Sequence, residues 1–224
     1  IDSARINGAI CITNCLAKNI ILNNNKVQKV ETSLGTVETE TIVNACGPWS
    51  ANLGSGIGLE IPIFPLRRQW FTTEKVPDLP EGFPFTIDFS QSLYFHKEGQ
   101  GILSGMSNKK QEIGEDQNID PFWELKHIEA AIKRMPLLEK LGIKARQAGL
   151  YELTPDAHPI IGETPVEGFL ILSGFSGHGF MHGPICGKLI SEIIIDGEAT
   201  SVDISMLDFN RFSENRRISE YNIV

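Results

Sequence analysis

No uninterrupted apolar run in the sequence approaches the roughly 20 residues that a membrane-spanning helix requires. The basic start and long apolar stretch of a secretory signal peptide are missing too, and the chain does not open on methionine. Ile1-Asp2-Ser3-Ala4-Arg5 therefore reads as the start of a piece of a longer chain. Cations are in the minority, with 20 Lys and Arg against 28 Asp and Glu and a formal charge of −8. That balance, with no basic stripe, argues against nucleic acid or an anionic membrane as the main partner. Cysteine is scarce. Cys11, Cys15, Cys46 and Cys186 offer no second pair and no nearby histidine for a zinc set, so no metal site is expected. Their apolar surroundings predict reduced, buried thiols and a cytoplasmic protein. Low-complexity sequence is absent, and the 41% hydrophobic, 21% charged composition suits one large or two small folded domains.

What the chain does contain is a series of strand signals punctuated by glycine. Ala9-Ile10-Cys11-Ile12 is a short apolar run. Asn23-Asn24-Asn25 is a turn signal between Asn19-Ile20-Ile21-Leu22 and Val27-Gln28-Lys29-Val30, and Gly35 marks the next turn. Val37-Glu38-Thr39-Glu40 alternates as an exposed strand does. Thr41-Ile42-Val43-Asn44-Ala45-Cys46 is more continuously apolar, as expected of a buried parallel strand, and runs into Gly47-Pro48-Trp49-Ser50.

The region from 60 to 118 differs, with five prolines and strand-like pieces at 68–73, 93–97 and 101–105. Asp120-Pro121 predicts a helix start, with Phe122, Leu125, Ile128, Ile132 and Met135 as its apolar face. Residues 143–153 read as a strand returning from this region, and Thr154-Pro155-Asp156-Ala157-His158-Pro159 as a turn into Ile160-Ile161-Gly162.

A second strand-to-glycine turn occupies residues 169–197. Phe169-Leu170-Ile171-Leu172 precedes Ser173-Gly174-Phe175-Ser176-Gly177-His178-Gly179-Phe180. Ile185, Leu189, Ile190, Ile193 and Ile194 then follow at helical spacing, with Pro184 suited to the first turn and Gly197 to the end. Backbone N–H groups and the helix dipole at such a turn suit an anion or an electron-rich ring. Glycines also build purely structural turns, and the residues alone leave both readings open. In an open α/β sheet, ligands sit where strands end, so 46–50 and 173–180 are candidates for one cleft. The dinucleotide fingerprint GxGxxG is absent, since Gly54-Ser55-Gly56-Ile57-Gly58-Leu59 lacks its last glycine and reads as a loop.

Three segments together resemble one family: residues 43–50, residues 149–162 and residues 174–180. It is the FAD-dependent amine oxidoreductases of the D-amino-acid oxidase superfamily, with sarcosine oxidase β-subunits, glycine oxidase, and dimethylglycine and proline dehydrogenases as the most similar branch. The resemblance implies an α/β (mixed α+β) fold, part of a Rossmann-like FAD-binding domain with an inserted antiparallel-sheet substrate domain. Residues 1–55 and 151–197 would then be parts of the FAD domain, 56–150 the substrate domain, and 198–224 a polar tail with a short helix around 207–218. It also implies that the segment carrying GxGxxG, roughly the first third of such a protein, is not in this chain.

By the same resemblance the cofactor is FAD and the reaction is hydride transfer from a small secondary or tertiary amino acid. Ala45, Gly47, Trp49, Gly149, Gly174, Phe175, Ser176, Gly177, His178, Gly179, Phe180 and Met181 would contact the cofactor, with 174–181 around the flavin ring. Met181 stands where sarcosine-type oxidases carry Lys, which favours a dehydrogenase with another electron acceptor, and the resemblance implies partner subunits in a hetero-oligomer. Gly149 replaces the Cys that binds FAD covalently in monomeric sarcosine oxidases, so the flavin should be dissociable. Tyr151 falls where glycine oxidase places a carboxylate-binding Arg, and Tyr94 aligns with an active-site Tyr. His96 and His182 read as surface or packing residues, His178 as shaping the loop, and one of Arg67 and Arg68 as a candidate to face the cleft. The rival reading is a non-catalytic fragment or subunit with an incomplete flavin site.

Overall fold

The computed structural model describes residues 1–220, and among them three sheets and four α-helices alternate along the chain. Helix α1 (Asp2–Ile6) is followed by irregular chain where a strand was expected at 9–12. Ile10 is 87% exposed there, so among the described residues this apolar run meets no surface to pair with or pack on. Strands β1 (Ala17–Asn23) and β2 (Lys26–Thr32) form a hairpin with Asn24 and Asn25 at positive φ, and β3 (Gly35–Glu38) pairs with β2. Asparagine tolerates that left-handed conformation, which is why the asparagine run turns the chain. Strand β4 (Ile42–Asn44) leads through a 3-10 turn at Gly47–Trp49 into helix α2 (Ser50–Ser55).

A five-stranded antiparallel sheet comes next. Its strands are β5 (Phe64–Thr73), β6 (Thr86–Asp88), β7 (Leu93–Glu98), β8 (Gly101–Met106) and β9 (Ile143–Leu153), in the order β6-β7-β8-β5-β9. Helix α3 (Pro121–Arg134) covers one face, capped by the Asp120 carboxylate, which accepts from the N–H groups of Phe122 and Trp123. Phe71, Leu93, Phe95, Ile102 and Met106 bury against Ala131 and Leu138. Ile128, Ile132 and Met135 join this core as expected, but Phe122 and Leu125 are exposed. The helix instead turns Trp123, His127 and Ala131 inward, one stripe at four-residue spacing. Two polar contacts fix that rotation: the Trp123 indole donates to the Met106 carbonyl at 2.9 Å, and Ser104 shares a 2.8 Å hydrogen bond with His127.

Strand β10 (Ile160–Glu163) pairs antiparallel with β11 (Phe169–Ser173), which runs parallel to β4 as the apolar character of 41–46 predicts. Helix α4 (Gly179–Asp196) ends at Gly197 in the left-handed conformation, φ 87°. It begins five residues before Pro184, which lies inside the helix rather than in its first turn. Cys186, Leu189 and Ile190 are buried, whereas Ile185 and Ile194 are exposed. Cys186 is also the one cysteine that meets the expectation of burial. Cys11 sits in the irregular N-terminal segment and Cys46 in the turn after β4, both exposed, and Cys15 is half-buried.

The tail is not a loose polar segment. Two 3-10 turns (Ser205–Leu207 and Phe209–Arg211) replace the expected helix, and residues 221–224 lie outside the described residues. Arg211 is fully buried. Its Nε donates to Asp156 Oδ2 at 2.9 Å and its Nη2 to Oδ1 at 3.0 Å, while the carbonyls of Leu207, Asp208 and His158 take the remaining donors. Burial alone would push the Asp156 carboxyl up, but bonds from Arg211, from the Ile218 and His158 N–H groups and the Arg211 charge hold it down at about 2. Removing one partner strands a buried charge, so Arg211→Ala should cost about 3–5 kcal/mol in urea unfolding. Because the folded value lies below the ordinary aspartate value near 3.9, this stabilisation is complete above about pH 4 and is lost as pH falls toward about 2. Acid unfolding of Arg211→Ala should therefore lose that part of the wild-type pH dependence.

Candidate functional site

The parallel pairing of β4 and β11 brings both glycine turns to the same sheet edge. Asn44, wholly buried at the end of β4, fixes the first: its side chain donates to the Ser50 carbonyl at 3.0 Å and accepts from the Cys46 N–H at 3.2 Å. Ser50 Oγ donates to Ser173 Oγ at 2.9 Å, and Ser173 Oγ donates to Glu152 Oε2 at 2.6 Å. The other oxygen, Oε1, accepts from the Phe175 N–H at 3.3 Å. Glu152 at the end of β9 thus ties the two turns to the five-stranded sheet. Sequence reading passed over Ser50, Glu152 and Ser173. Their only signal was position, each at the last residues of a strand or the first of a turn.

The second turn needs its glycines at two places. Gly174 has φ 87° and Gly177 φ 102°, and a Cβ would stand 2.5 Å from the Thr154 side chain at the first and 2.6 Å from the Tyr151 ring at the second. Ser176 is buried at φ 52°, with its N–H donating to the Glu152 carbonyl at 3.2 Å. The α4 start that follows has no side-chain cap at His178. First-turn N–H groups of a helix have no intrahelical partner, so this end offers donors and positive potential to a ligand. Around it, Phe175 is buried, while His178, Phe180 and Met181 are exposed, Met181 at 68%. His182 lies 6.5 Å from the Phe175 ring and 6.2 Å from His178. On the β4 side Ala45 is exposed, Gly47 takes φ 55° beside Glu152, and the Trp49 indole donates to Glu115 at 3.1 Å.

Strand alternation decides what the five-stranded sheet shows on the face opposite α3. Arg67 and Gln69 point to the α3 side, where Arg67 meets Asp116 at 2.7 Å and Gln69 exchanges hydrogen bonds with Asp120. Arg68 and Trp70 point the other way. Across the ladders Arg68 is opposite Gly149, Leu66 opposite Tyr151, and Trp70 and Tyr94 each opposite Gly105. Gly105 leaves room for Tyr94 to lie over it, since a Cβ there would be 2.3 Å from the ring. The Arg68 guanidinium sits 5.2 Å from the centre of the Tyr151 ring. Phe85 stacks on both Tyr94 and His96. Burial pushes the Tyr94 and Tyr151 hydroxyls up from an ordinary tyrosine value already about 10, so both are neutral hydrogen-bond donors and not bases near pH 7. The sheet face and the glycine loop meet at Tyr151, whose ring packs on Gly177.

Among the described residues no group of His, Cys, Asp and Glu is placed to hold a metal, and no helix is long and apolar enough to cross a membrane. An uncapped helix start, a strained glycine loop and exposed apolar side chains at Phe180 and Met181 fit the electron-rich edge and flat faces of a flavin ring. A pyrophosphate-binding fingerprint is not in this sequence.

Residues 1–193 match the model of the FAD dependent oxidoreductase family. The chain is 31% identical to human mitochondrial sarcosine dehydrogenase over 94% of its own length and 24% of that protein. Among solved structures, L-proline dehydrogenase from P. horikoshii superposes with a TM-score of 0.89 at 27% identity, over 97% of this chain and 59% of that one. Glycine oxidase from Geobacillus kaustophilus gives 0.81 at 22% identity, over 93% and 55%, a likeness of fold. The chain thus spans about a quarter of the first relative and somewhat over half of the solved chains.

The two kinds of glycine near the loop should respond oppositely to a methyl group. Gly177→Ala forces a Cβ into the Tyr151 ring at positive φ and should destabilise by about 1–3 kcal/mol. Gly187→Ala, inside α4 with nothing within 4 Å, should stabilise by up to about 1 kcal/mol. Urea midpoints of the two variants check both signs.

Proposed function

The chain belongs to the FAD-dependent oxidoreductase family, and on that premise we propose that its activity is oxidation of the C–N bond of a small secondary or tertiary amino acid. Sarcosine, dimethylglycine, proline and glycine are the kinds of substrate named for its relatives. The observation that carries this reading is the meeting, at Tyr151 and Gly177, of an uncapped helix start with a sheet face bearing Arg68, Tyr94 and Tyr151. FAD supplies the redox chemistry when bound, accepting a hydride from the carbon beside the amine nitrogen. Backbone N–H groups at 179–181 and the positive end of the α4 dipole would hold the electron-rich part of the bound ring and offset negative charge there. Gly174, Phe175, Ser176, Gly177 and His178 would hold that loop in shape, and Ala45, Gly47, Trp49 and Gly149 would complete the surface that takes the cofactor.

Tyr94 and Tyr151 orient the amino acid through their neutral hydroxyls. Residues 1–55 and 151–197 form the cofactor side in this reading and 56–150 the substrate side. The four free thiols suit a reducing, cytoplasmic setting. Met181 brings no charge to the flavin region, which favours a dehydrogenase that passes electrons to another acceptor, in a hetero-oligomer or through a separate carrier.

Purified full-length protein should carry flavin absorbance in the visible, and a colourless protein contradicts the reading. Reduced by substrate and mixed with oxygen, it should reoxidise slowly. Met181→Lys should accelerate that step by roughly 10- to 100-fold, the effect of one well-placed charge. Fast reoxidation of the wild type would refute the dehydrogenase assignment and leave the flavin assignment standing.

A further inference from the structure

We propose that a cavity beside the start of α3 is a second binding site, one that takes a small phosphorylated ligand carrying a flat ring, of the nucleoside monophosphate class. It stands apart from the amine-oxidation reading, since the cavity shares no residue with the glycine loop or with the sheet face of Arg68, Tyr94 and Tyr151. Its volume is about 470 Å³, inside the range of about 300–1,000 Å³ typical of small-ligand sites. Lys109 and Lys110 line it from the chain that leaves β8, and Phe122, Trp123 and Lys126 line it from the first turns of α3. Asn108 shapes the first wall, its Oδ1 accepting from the Lys110 N–H at 2.9 Å and its carbonyl from the Gln111 N–H at 3.1 Å. The bond from the Trp123 indole to the Met106 carbonyl fastens the second wall to the end of β8.

Charge in this cavity is unbalanced. In a chain of formal charge −8, three lysines gather on one concave surface, and none of Lys109, Lys110 and Lys126 makes an ion pair among the described residues. Lys26 and Lys188, by contrast, each reach a glutamate, at 2.8 and 3.5 Å. Asp120, the acidic residue of the lining, is already engaged: it caps α3 through the Phe122 and Trp123 N–H groups and faces Arg67 at 3.7 Å. Ser107 is a second, independent sign. It lines the cavity and is only 6% exposed, yet its hydroxyl makes no hydrogen bond among the described residues. Buried polar groups are nearly always satisfied, so a hydroxyl left open here is matched to a group from outside the chain.

Two features of the lining choose the ligand. Lysine ammonium groups are compact point charges suited to phosphate, and a phosphate monoester carries about −1.5 to −2 charges at pH 7, more than a single carboxylate brings to three cations. Lys126 is steadied for this by the Trp123 ring, 6.0 Å from its ammonium. Phe122 supplies the other feature. It is 79% exposed on the outer side of α3, with no aromatic partner among the described residues, and a bare ring at a cavity edge is a platform on which a flat ring stacks.

Calorimetric titration of the full-length protein with AMP tests the site, with FAD in excess so that no adenine-binding surface of the flavin site stays open. Adenosine and inorganic phosphate probe the two halves of the ligand separately. AMP should bind at least roughly tenfold more tightly than either, and more weakly as salt is added. Lys109→Gln, Lys110→Gln and Lys126→Gln combined should weaken AMP by roughly 10- to 100-fold and leave adenosine unchanged. Phe122→Ala should weaken AMP by roughly tenfold and leave phosphate unchanged. All four side chains are exposed, so these substitutions leave the fold intact. Three results each overturn the proposal: no binding of AMP at roughly 10 mM, AMP binding that both variants leave untouched, or phosphate bound as tightly as AMP. An active flavoprotein that ignores AMP refutes this site alone, and the predicted AMP pattern in a protein without flavin refutes the redox assignment alone.

Discussion

The carboxylate of Glu152 is where three parts of this molecule are fastened together. Through Ser173 Oγ it holds the end of β11, and through the Phe175 N–H it holds the glycine loop. Ser50, bonded to Ser173, extends the same tie to the turn after β4, and Glu152 itself belongs to β9 of the large sheet. Each of these bonds involves a charged acceptor or a buried hydroxyl, the kind that contributes more than an average hydrogen bond. Without this tie the loop at 174–178, with three residues at positive φ, would have to keep a strained conformation by itself.

Support reaches the loop from a second side. Arg211 binds Asp156, Asp156 sits in the turn after β9, and Thr154 in that turn donates to the His158 carbonyl at 2.7 Å. Gly174 then packs on Thr154 so closely that no Cβ fits between them. A buried ion pair in the C-terminal turns therefore braces the floor of the loop from below. On the far side, the α3 core of Phe71, Phe95 and Ala131 stiffens the sheet whose other face carries Arg68, Tyr94 and Tyr151. Rigid elements thus position each half of the site, as a cofactor and a substrate held in fixed relation require.

Much of this was legible in the sequence because it depends on local rules. Asparagine at a hairpin turn, Asp120 at a helix start, Gly197 at a helix end and the long strand 143–153 each follow from one residue type at one position. The two strand-to-glycine turns were legible for the same reason. What the sequence concealed depends on contacts between distant residues. Nothing in the spacing joins Ser50 to Ser173, or Arg211 to Asp156. The choice between Arg67 and Arg68 rests on strand alternation, which needs the position of α3 to say which face is covered. Phe122, Leu125, Ile185 and Ile194 misled because helical periodicity locates an apolar stripe only to within one turn, while Trp123 and His127 fix the rotation through polar contacts.

The central claim is that the Glu152 tie gives the glycine loop the shape that holds a flavin. Titration of FAD into the full-length apoprotein, for wild type and Glu152→Ala, measures it most directly, with urea unfolding of both as the control. The account predicts FAD affinity at least roughly tenfold weaker in the variant, beyond any effect of unfolding, since two bonds to a charged group are lost at the loop. Equal FAD affinity in a folded Glu152→Ala protein would contradict it.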